Sequence, residues 1–408
     1  MTTKQTFVIA GASLAGAKAA ESLRAEGFDG RVVLIGEEAV RPYERPPLSK
    51  AYLRGEVGFE KAAVHEEAFY QEHEIELLTS TTVTSIDPAS KQVTLDPGGR
   101  LNYDQLLLTT GATPRLVTIP GADLGEIHYL RSLSSCDALR EALARATRVV
   151  VVGAGWIGSE VAASARQLGK QVALIEAAEV PLKRVLGTEV GTMFRDLHAE
   201  HGVELHMGVG VEAFRGSNTV EEVVLADGSV IAGDLVVVGV GVNARTELAE
   251  SAGLQLHNGV VVDQHLATSM PGIWAAGDVA NAYHPVLDTR IRLEHWSAAL
   301  NQGPVAAKNM LGQGVSYTKI PYFFSDQYEL GMEYNGFATT WDQVVYRGNR
   351  EQRELIVFWL EHGRVVAGMN VNVWDVADKI AALVSSKRVV DPHHLADVSV
   401  DLSVIISP

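Results

Sequence analysis

Three glycines at fixed spacing, Gly153-x-Gly155-x-x-Gly158, separate the run Arg148 to Val152 from a stretch of small residues that reads as a helix to about Leu168. In a strand–turn–helix setting each glycine has its own task. Gly153 permits the tight turn, Gly155 lets the backbone approach a pyrophosphate, and Gly158 lets helix and strand pack closely. The helix start adds amide donors and a positive dipole end for phosphates. A second strand, Gln171 to Ile175, leads to Glu176. A carboxylate there can accept hydrogen bonds from both hydroxyls of an adenosine ribose and repels a 2′-phosphate, which favours NADH over NADPH. Lys183 and Arg184 follow closely and soften that discrimination. A solvated turn carboxylate is the alternative reading of Glu176.

The same pattern occurs earlier in the chain. Thr6 to Ala10 precede Gly11-Ala12-Ser13-Leu14-Ala15-Gly16, a helix to about Glu26, the strand Arg31 to Ile35, and Glu37. Ser13 stands where the middle glycine belongs, adding a β-carbon at the closest phosphate approach but also a hydroxyl that can donate to it. The pattern predicts a second dinucleotide site; the alternative is a βαβ unit without ligand.

Composition limits the chemistry these units can serve. Cys136 is the single cysteine, so no intramolecular disulfide, no Cys-x-x-Cys pair and no Cys-ligated iron–sulfur cluster can form. Electron chemistry must use a bound organic cofactor, and no metal site is expected. Fifty Asp plus Glu against 34 Lys plus Arg give a net charge of −16, which disfavours nucleic acid and anionic lipid as partners. No uninterrupted apolar stretch of about 18 residues occurs. Phe7 to Ala10 is too short for a signal-peptide core before Lys18, Glu21 and Arg24, so the expected location is cytoplasmic.

The elements that must position the two fingerprints follow. Each unit is trailed by short β-branched runs, Gln92 to Leu95 with Asp104 to Leu108 and Val223 to Leu225 with Asp234 to Val238, around Asp96-Pro97-Gly98-Gly99 and Asp227-Gly228. These predict small antiparallel extensions. Alternating segments Leu355 to Leu360 and Val365 to Val371, then a helical Val376 to Ser386, predict a separate α+β domain. The fold expected is α/β, with two Rossmann-like domains and a C-terminal α+β domain.

With Gly277-Asp278, Arg41-Pro42-Tyr43-Glu44-Arg45-Pro46-Pro47-Leu48-Ser49-Lys50, Leu108 to Ala112, Tyr129-Leu130-Arg131, Trp274 to Asp278 and Ser325-Asp326-Gln327-Tyr328, the chain resembles the two-dinucleotide-binding flavoprotein disulfide reductase superfamily. Within it, the chain is similar to the FAD-dependent, NADH-linked ferredoxin reductases of bacterial oxygenase systems, the putidaredoxin reductase and biphenyl-dioxygenase reductase type. The resemblance spans nearly the whole chain. It implies an FAD-binding domain over residues 1–112 and 240–317, an NAD-binding domain over 113–239, and the C-terminal domain over 318–408.

The resemblance also implies site roles. Gly11, Ser13, Ala15, Gly16 and Glu37 would hold FAD pyrophosphate and ribose, and Val83 the adenine by its backbone. Arg45 and Lys50 would sit beside the flavin, Arg131 at the cofactor's polar middle, Asp278 on the ribitol and Trp296 by the ring. Gly153, Gly155, Ile157, Gly158, Glu160, Glu176 and Arg184 would hold NADH. Lys50 and Glu160, approaching each other across the nicotinamide pocket, would be the catalytic pair. Taken without the resemblance, Lys50, Arg45 and Glu160 also fit surface charges, Asp278 a helix cap and Trp296 a core residue. Pro46-Pro47-Leu48-Ser49-Lys50 is nonetheless a stiff turn able to hold a cation in place.

Relatives that reduce disulfides or peroxide use flavin-facing cysteines after the first βαβ unit; the corresponding Arg41 to Glu44 has none, and Cys136 is expected to be inert. The implied acceptor is a small [2Fe–2S] ferredoxin, met transiently by a monomer or weak homodimer. Arg290, Arg292, Lys387, Arg388, His393 and His394 are the candidate basic face for it. Phe324 stands where several relatives have tryptophan, which puts a tryptophan-mediated electron exit in doubt. Alternative readings are a rubredoxin reductase, a monodehydroascorbate reductase-like enzyme, or an NADH-sensing interaction protein like apoptosis-inducing factor.

Overall fold

Two five-stranded, all-parallel sheets carry the two glycine-rich turns in the computed structural model, which describes residues 4–406. The first has the order Ile273–Ala275, Gln105–Leu108, Thr6–Ala10, Arg31–Ile35, Ile75–Leu78. Its Val8, Ile9, Leu34, Leu106 and Leu107 are fully buried. They share a core with helices Leu14–Ala25 and Trp296–Met310 and with Ile86 and Val93 of a small antiparallel sheet. The second sheet has the order Glu204–Met207, Gln171–Glu176, Arg148–Val152, Leu235–Val238, Ile127–His128. Helices Leu133–Arg145 and Trp156–Gln167 pack on it through Leu139, Leu143 and Val161. An antiparallel ribbon pairing Ala112–Pro114 with Val242–Ala244 carries the chain out to the second unit and back.

The small antiparallel extensions are present, with one change in membership. Gln92–Asp96 pairs with Thr82–Asp87 and Arg100–Asn102, and Glu222–Leu225 pairs with Val211–Arg215 and Val230–Ala232. The runs ending at Leu108 and Val238, expected to be their partners, instead belong to the parallel sheets. An unbroken apolar run such as Leu106-Leu107-Leu108 suits a strand covered on both faces, whereas an extension exposes one.

The C-terminal unit is an antiparallel sheet in the order Tyr322–Gln327, Leu330–Gly336, Arg364–Val371, Glu354–Glu361, Gln343–Asn349, packed against helix Ala377–Ser386. Phe323, Tyr334 and Trp359 on its other side join Leu182, Leu186 and Phe194 in one cluster, which holds this unit against the second parallel-sheet unit. Among the described residues no helix is long and apolar enough to cross a membrane.

Candidate active site

Both glycine-rich turns open into one cavity of about 680 Å³, within the usual range for a cofactor or ligand site. Ser13 and Ala15 line it from the first turn; Gly153, Gly155, Ile157 and Gly158 line it from the second. The glycines divide by what a β-carbon would meet. At Gly158 it would fall 1.9 Å from the Gly153 carbonyl oxygen, and at Gly11 and Gly16 it would fall 2.1 Å from the Thr109 and Gly11 carbonyls. Those three permit close packing. At Gly155 a β-carbon would meet nothing within 4 Å, so no packing within the chain requires glycine there. Ser13 caps helix Leu14–Ala25 with extended backbone and no side-chain bond to it, leaving its hydroxyl for another acceptor. These are the features a bound pyrophosphate requires.

Where the two units meet, Lys50 Nζ lies 2.7 Å from Glu160 Oε2, with the side chains 12% and 4% exposed. Ser49 Oγ donates to Glu160 Oε2, and Ser325 Oγ to Glu160 Oε1 at 2.7 Å. The carboxylate is thus fixed by three elements: the turn Pro46–Ser49, helix Trp156–Gln167 and strand Tyr322–Gln327. Ser164 Oγ donates to the Ser49 carbonyl at 2.7 Å, tying turn to helix. Lys50 Nζ also sits 5.4 Å from the centre of the Phe324 ring, a cation–π contact. The Asp326 carboxyl beside them is raised, chiefly by desolvation, with Lys50 opposing and Glu160 adding to the shift.

Arg45, Arg131, Asp278 and Trp296 come together on the first unit's side of the cavity. Arg131 Nη2 pairs with Asp278 Oδ2 at 2.6 Å. Arg45 is held by Glu38, by the Tyr43 hydroxyl at 3.2 Å and by the Arg131 carbonyl. Gly277-Asp278-Val279 forms a single helical turn after Ile273–Ala275, with the Gly277 amide donating to Gln302 Oε1 at 2.8 Å. Arg131 Nε, Trp296 Nε1 and His295 Nδ1 are buried without a hydrogen-bond partner in the chain. Buried polar atoms almost always have partners, so these mark where a polar ligand fits. Burial pushes the His295 imidazole down to about 4, with Asp278 opposing.

The remaining expected residues are more dispersed. Glu176 lines the cavity, its carboxylate accepting from the Ala154 amide at 2.7 Å and the Ala178 amide at 3.0 Å. Arg184 lines it from the first turn of helix Lys183–Glu200, while Lys183 pairs with Glu179. Glu37 and Val83 are not part of the cavity wall. Glu37 is gripped by both terminal nitrogens of Arg245, which lowers its carboxyl pKa. Val83 stands in strand Thr82–Asp87. Cys136 is buried, its thiol donates to the Leu48 carbonyl at 3.2 Å, and burial pushes it up to about 12.

Two members of the expected basic face are tied to groups of the chain itself. Arg290 donates to the Val262 and Asn281 carbonyls, and Arg292, 9% exposed, pairs with Glu294 at 2.6 Å. Backbone carbonyls hold one end of Arg290, which stays exposed, and a neighbouring carboxylate holds the buried Arg292. Sequence reasoning also missed Ser49 and Ser325 as the supports of Glu160, and Tyr43 and Glu38 as those of Arg45. One available signal was the alternation in Tyr322–Gln327, where Ser325 and Gln327 occupy the buried face.

Fold, paired fingerprints and shared cavity define a two-nucleotide oxidoreductase. The chain matches the pyridine nucleotide-disulphide oxidoreductase family over residues 5–303 and the reductase C-terminal domain over residues 322–406; it belongs to that oxidoreductase family, whose members use FAD and NAD(H). It is 36% identical to putidaredoxin reductase of Pseudomonas putida over 413 aligned positions, covering 100% of this chain and 98% of that one. It is 38% identical to the anthranilate 1,2-dioxygenase system ferredoxin–NAD(+) reductase component of Burkholderia cepacia, covering 98% and 99%. The crystal structure of the covalent putidaredoxin reductase–putidaredoxin complex contains a chain that superposes with a TM-score of 0.95 at 36% identity, covering 98% of each.

Proposed function

We propose that this chain oxidises NADH and passes the electrons one at a time to a [2Fe–2S] ferredoxin serving an oxygenase. The balanced reaction is NADH + 2 ferredoxin(oxidised) → NAD+ + H+ + 2 ferredoxin(reduced). The observation that carries this reading is the single cavity joining both fingerprint turns, with the Lys50–Glu160 pair at the junction. FAD, when bound, supplies a centre that accepts a hydride and gives up electrons singly.

The chain's own residues bind, orient and balance charge. Gly11, Ser13, Ala15 and Gly16 bring the first helix start to the FAD pyrophosphate, with Glu37 and Val83 at the adenosine end. Arg131 and Asp278 hold the middle of that cofactor, and Arg45 and Trp296 lie beside its ring. Gly153, Gly155, Ile157 and Gly158 present the second helix start to NADH, Glu176 takes the ribose, and Arg184 lies alongside. Lys50 would place its side chain at the junction, beside the flavin that would take the hydride and carry negative charge when reduced, and Glu160 with its two serine donors holds Lys50 in place. Fixing both nucleotides in one cavity is the main kinetic contribution.

The buried Cys136 supports a mechanism without thiol chemistry. The net charge of −16 supports a protein partner over nucleic acid, the cytoplasmic NADH pool supports action there, and the unit works as a monomer or weak homodimer. An anaerobic titration tests the reaction. Each NADH should reduce two equivalents of at least one of a panel of [2Fe–2S] ferredoxins that includes putidaredoxin, in the presence of catalytic enzyme; a flavin bleached by NADH that leaves every iron–sulfur spectrum of the panel oxidised would overturn the reading.

A further inference from the structure

Trp374 presents 55% of its surface to water, and every other aromatic side chain among the described residues is buried or half-buried. It stands in the loop between strand Arg364–Val371 and helix Ala377–Ser386. Its indole lies across Gly331: a β-carbon there would fall 2.6 Å from the ring and 3.4 Å from Asp326 Oδ1. In the hairpin Tyr322–Gln327/Leu330–Gly336, Gly331 is directly opposite Asp326, and Glu333 directly opposite Phe324. Opposed residues and those two apart share a face, so Phe324, Asp326 and the Trp374 indole occupy one side of this hairpin. Phe324 is cavity wall, in contact with Lys50 and, at 6.0 Å between ring centres, with Trp296. The exposed indole therefore continues outward from the wall that closes the site around Lys50.

The charges nearby narrow the occupant. Asp326, Asp375 and Asp378 face solvent, while Arg292, its side chain 9% exposed, pairs with Glu294. An aromatic centre with an acidic rim suits a protein whose facing patch is apolar and free of carboxylates. Resting on the ferredoxin reading above, we propose that Trp374 is the anchor that seats the one-electron iron–sulfur protein against the Phe324 wall. The indole fills a shallow apolar depression on the partner and excludes water from the shortest route between the carrier and the cavity. Trp374 is a docking contact, not a redox centre.

The test compares Trp374→Ala and Trp374→Phe with Val230→Ala, which trims an exposed apolar residue in the outlying sheet of the second unit. NADH-driven reduction is measured with putidaredoxin and a panel of other [2Fe–2S] ferredoxins, and with ferricyanide on the same samples. Binding to the oxidised enzymes is followed by calorimetry. Trp374→Ala should raise the KM and Kd for ferredoxin about tenfold or more, as for a central interfacial tryptophan. The ratio of ferredoxin-dependent to ferricyanide rates should fall in step. Trp374→Phe should recover part of the loss, and Val230→Ala should match wild type. Unchanged ferredoxin KM and Kd in Trp374→Ala would overturn the proposal and leave the ferredoxin reading standing. A change confined to self-association in sedimentation velocity would also overturn it, assigning the indole to a contact between copies. No ferredoxin-dependent rate in wild type with any of the panel would instead overturn the ferredoxin reading on which it rests.

Discussion

Substituting alanine at Gly155 and at Gly158 separates ligand space from packing space within one turn. Gly155 has φ −73° and ψ −175°, an extended conformation open to alanine, and its β-carbon would meet nothing within 4 Å. Gly155→Ala should therefore leave the fold intact and can add roughly 0.4–1 kcal/mol by restricting the unfolded chain. On the proposed reading its methyl projects where the NADH phosphates would approach. Displacing them forfeits one charge-assisted amide bond, about 1.5–3 kcal/mol, or roughly 10- to 150-fold in affinity. Gly158→Ala places its methyl 1.9 Å from a carbonyl oxygen, a backbone overlap that costs roughly 1–3 kcal/mol or more. Thermal unfolding by circular dichroism and NADH titration of flavin reduction read the two effects. Gly155→Ala should keep Tm and lose NADH affinity, while Gly158→Ala should lose Tm first. A Gly155→Ala protein with wild-type NADH affinity would refute the assignment of the pyrophosphate to this turn.

Three further outcomes are expected. Glu160→Gln strips the Lys50 ammonium of its partner at 2.7 Å and should slow flavin reduction by NADH at least tenfold in stopped flow. Ser325→Ala, losing one donor to the carboxylate, should cost about 1.5–3 kcal/mol of the same barrier at most. Equal rates in all three proteins would contradict the charge-holding role. Glu176→Ser should narrow the NADH:NADPH ratio of kcat/KM at least tenfold by removing both the ribose acceptor and the repulsion of a 2′-phosphate; an unchanged ratio would return Glu176 to a turn-stabilising role. Burial pushes the imidazoles of His198 and His295 down to about 4, below the ordinary value of about 6.5. Below pH 6.5 the unfolded chain binds more protons than the folded one, so stability is full above that pH and is lost as pH falls toward 4. Urea midpoints at pH 8 and pH 5 should differ, and the difference should shrink in His198→Asn; equal midpoints would contradict the buried, neutral imidazoles.

Features encoded within about 30 residues were legible in the sequence. Both fingerprints, their strands and the carboxylates after them follow from local spacing, and Glu176 stands at the cavity accordingly. Features created by apposition were not. Ser49 and Ser325 reach Glu160 from 111 and 165 positions away, and no local pattern marks a hydroxyl as a carboxylate's support. The strands ending at Leu108 and Val238 were assigned to hairpins because turns precede them, yet burial on both faces decided their place. Arg292 illustrates a different limit: side-chain direction depends on which carbonyls and carboxylates the fold brings close. Trp374 gave no sequence signal, because exposure of an indole depends on what the loop after Val371 packs against.

The central claim, electrons from NADH to an iron–sulfur carrier, is tested most directly by NADH-driven cytochrome c reduction with the purified yellow protein, with and without a [2Fe–2S] ferredoxin such as putidaredoxin. Large, saturable stimulation by the ferredoxin is the predicted result. Rapid bleaching of the flavin by NADH, with cytochrome c reduction unchanged by every ferredoxin supplied, would contradict the account.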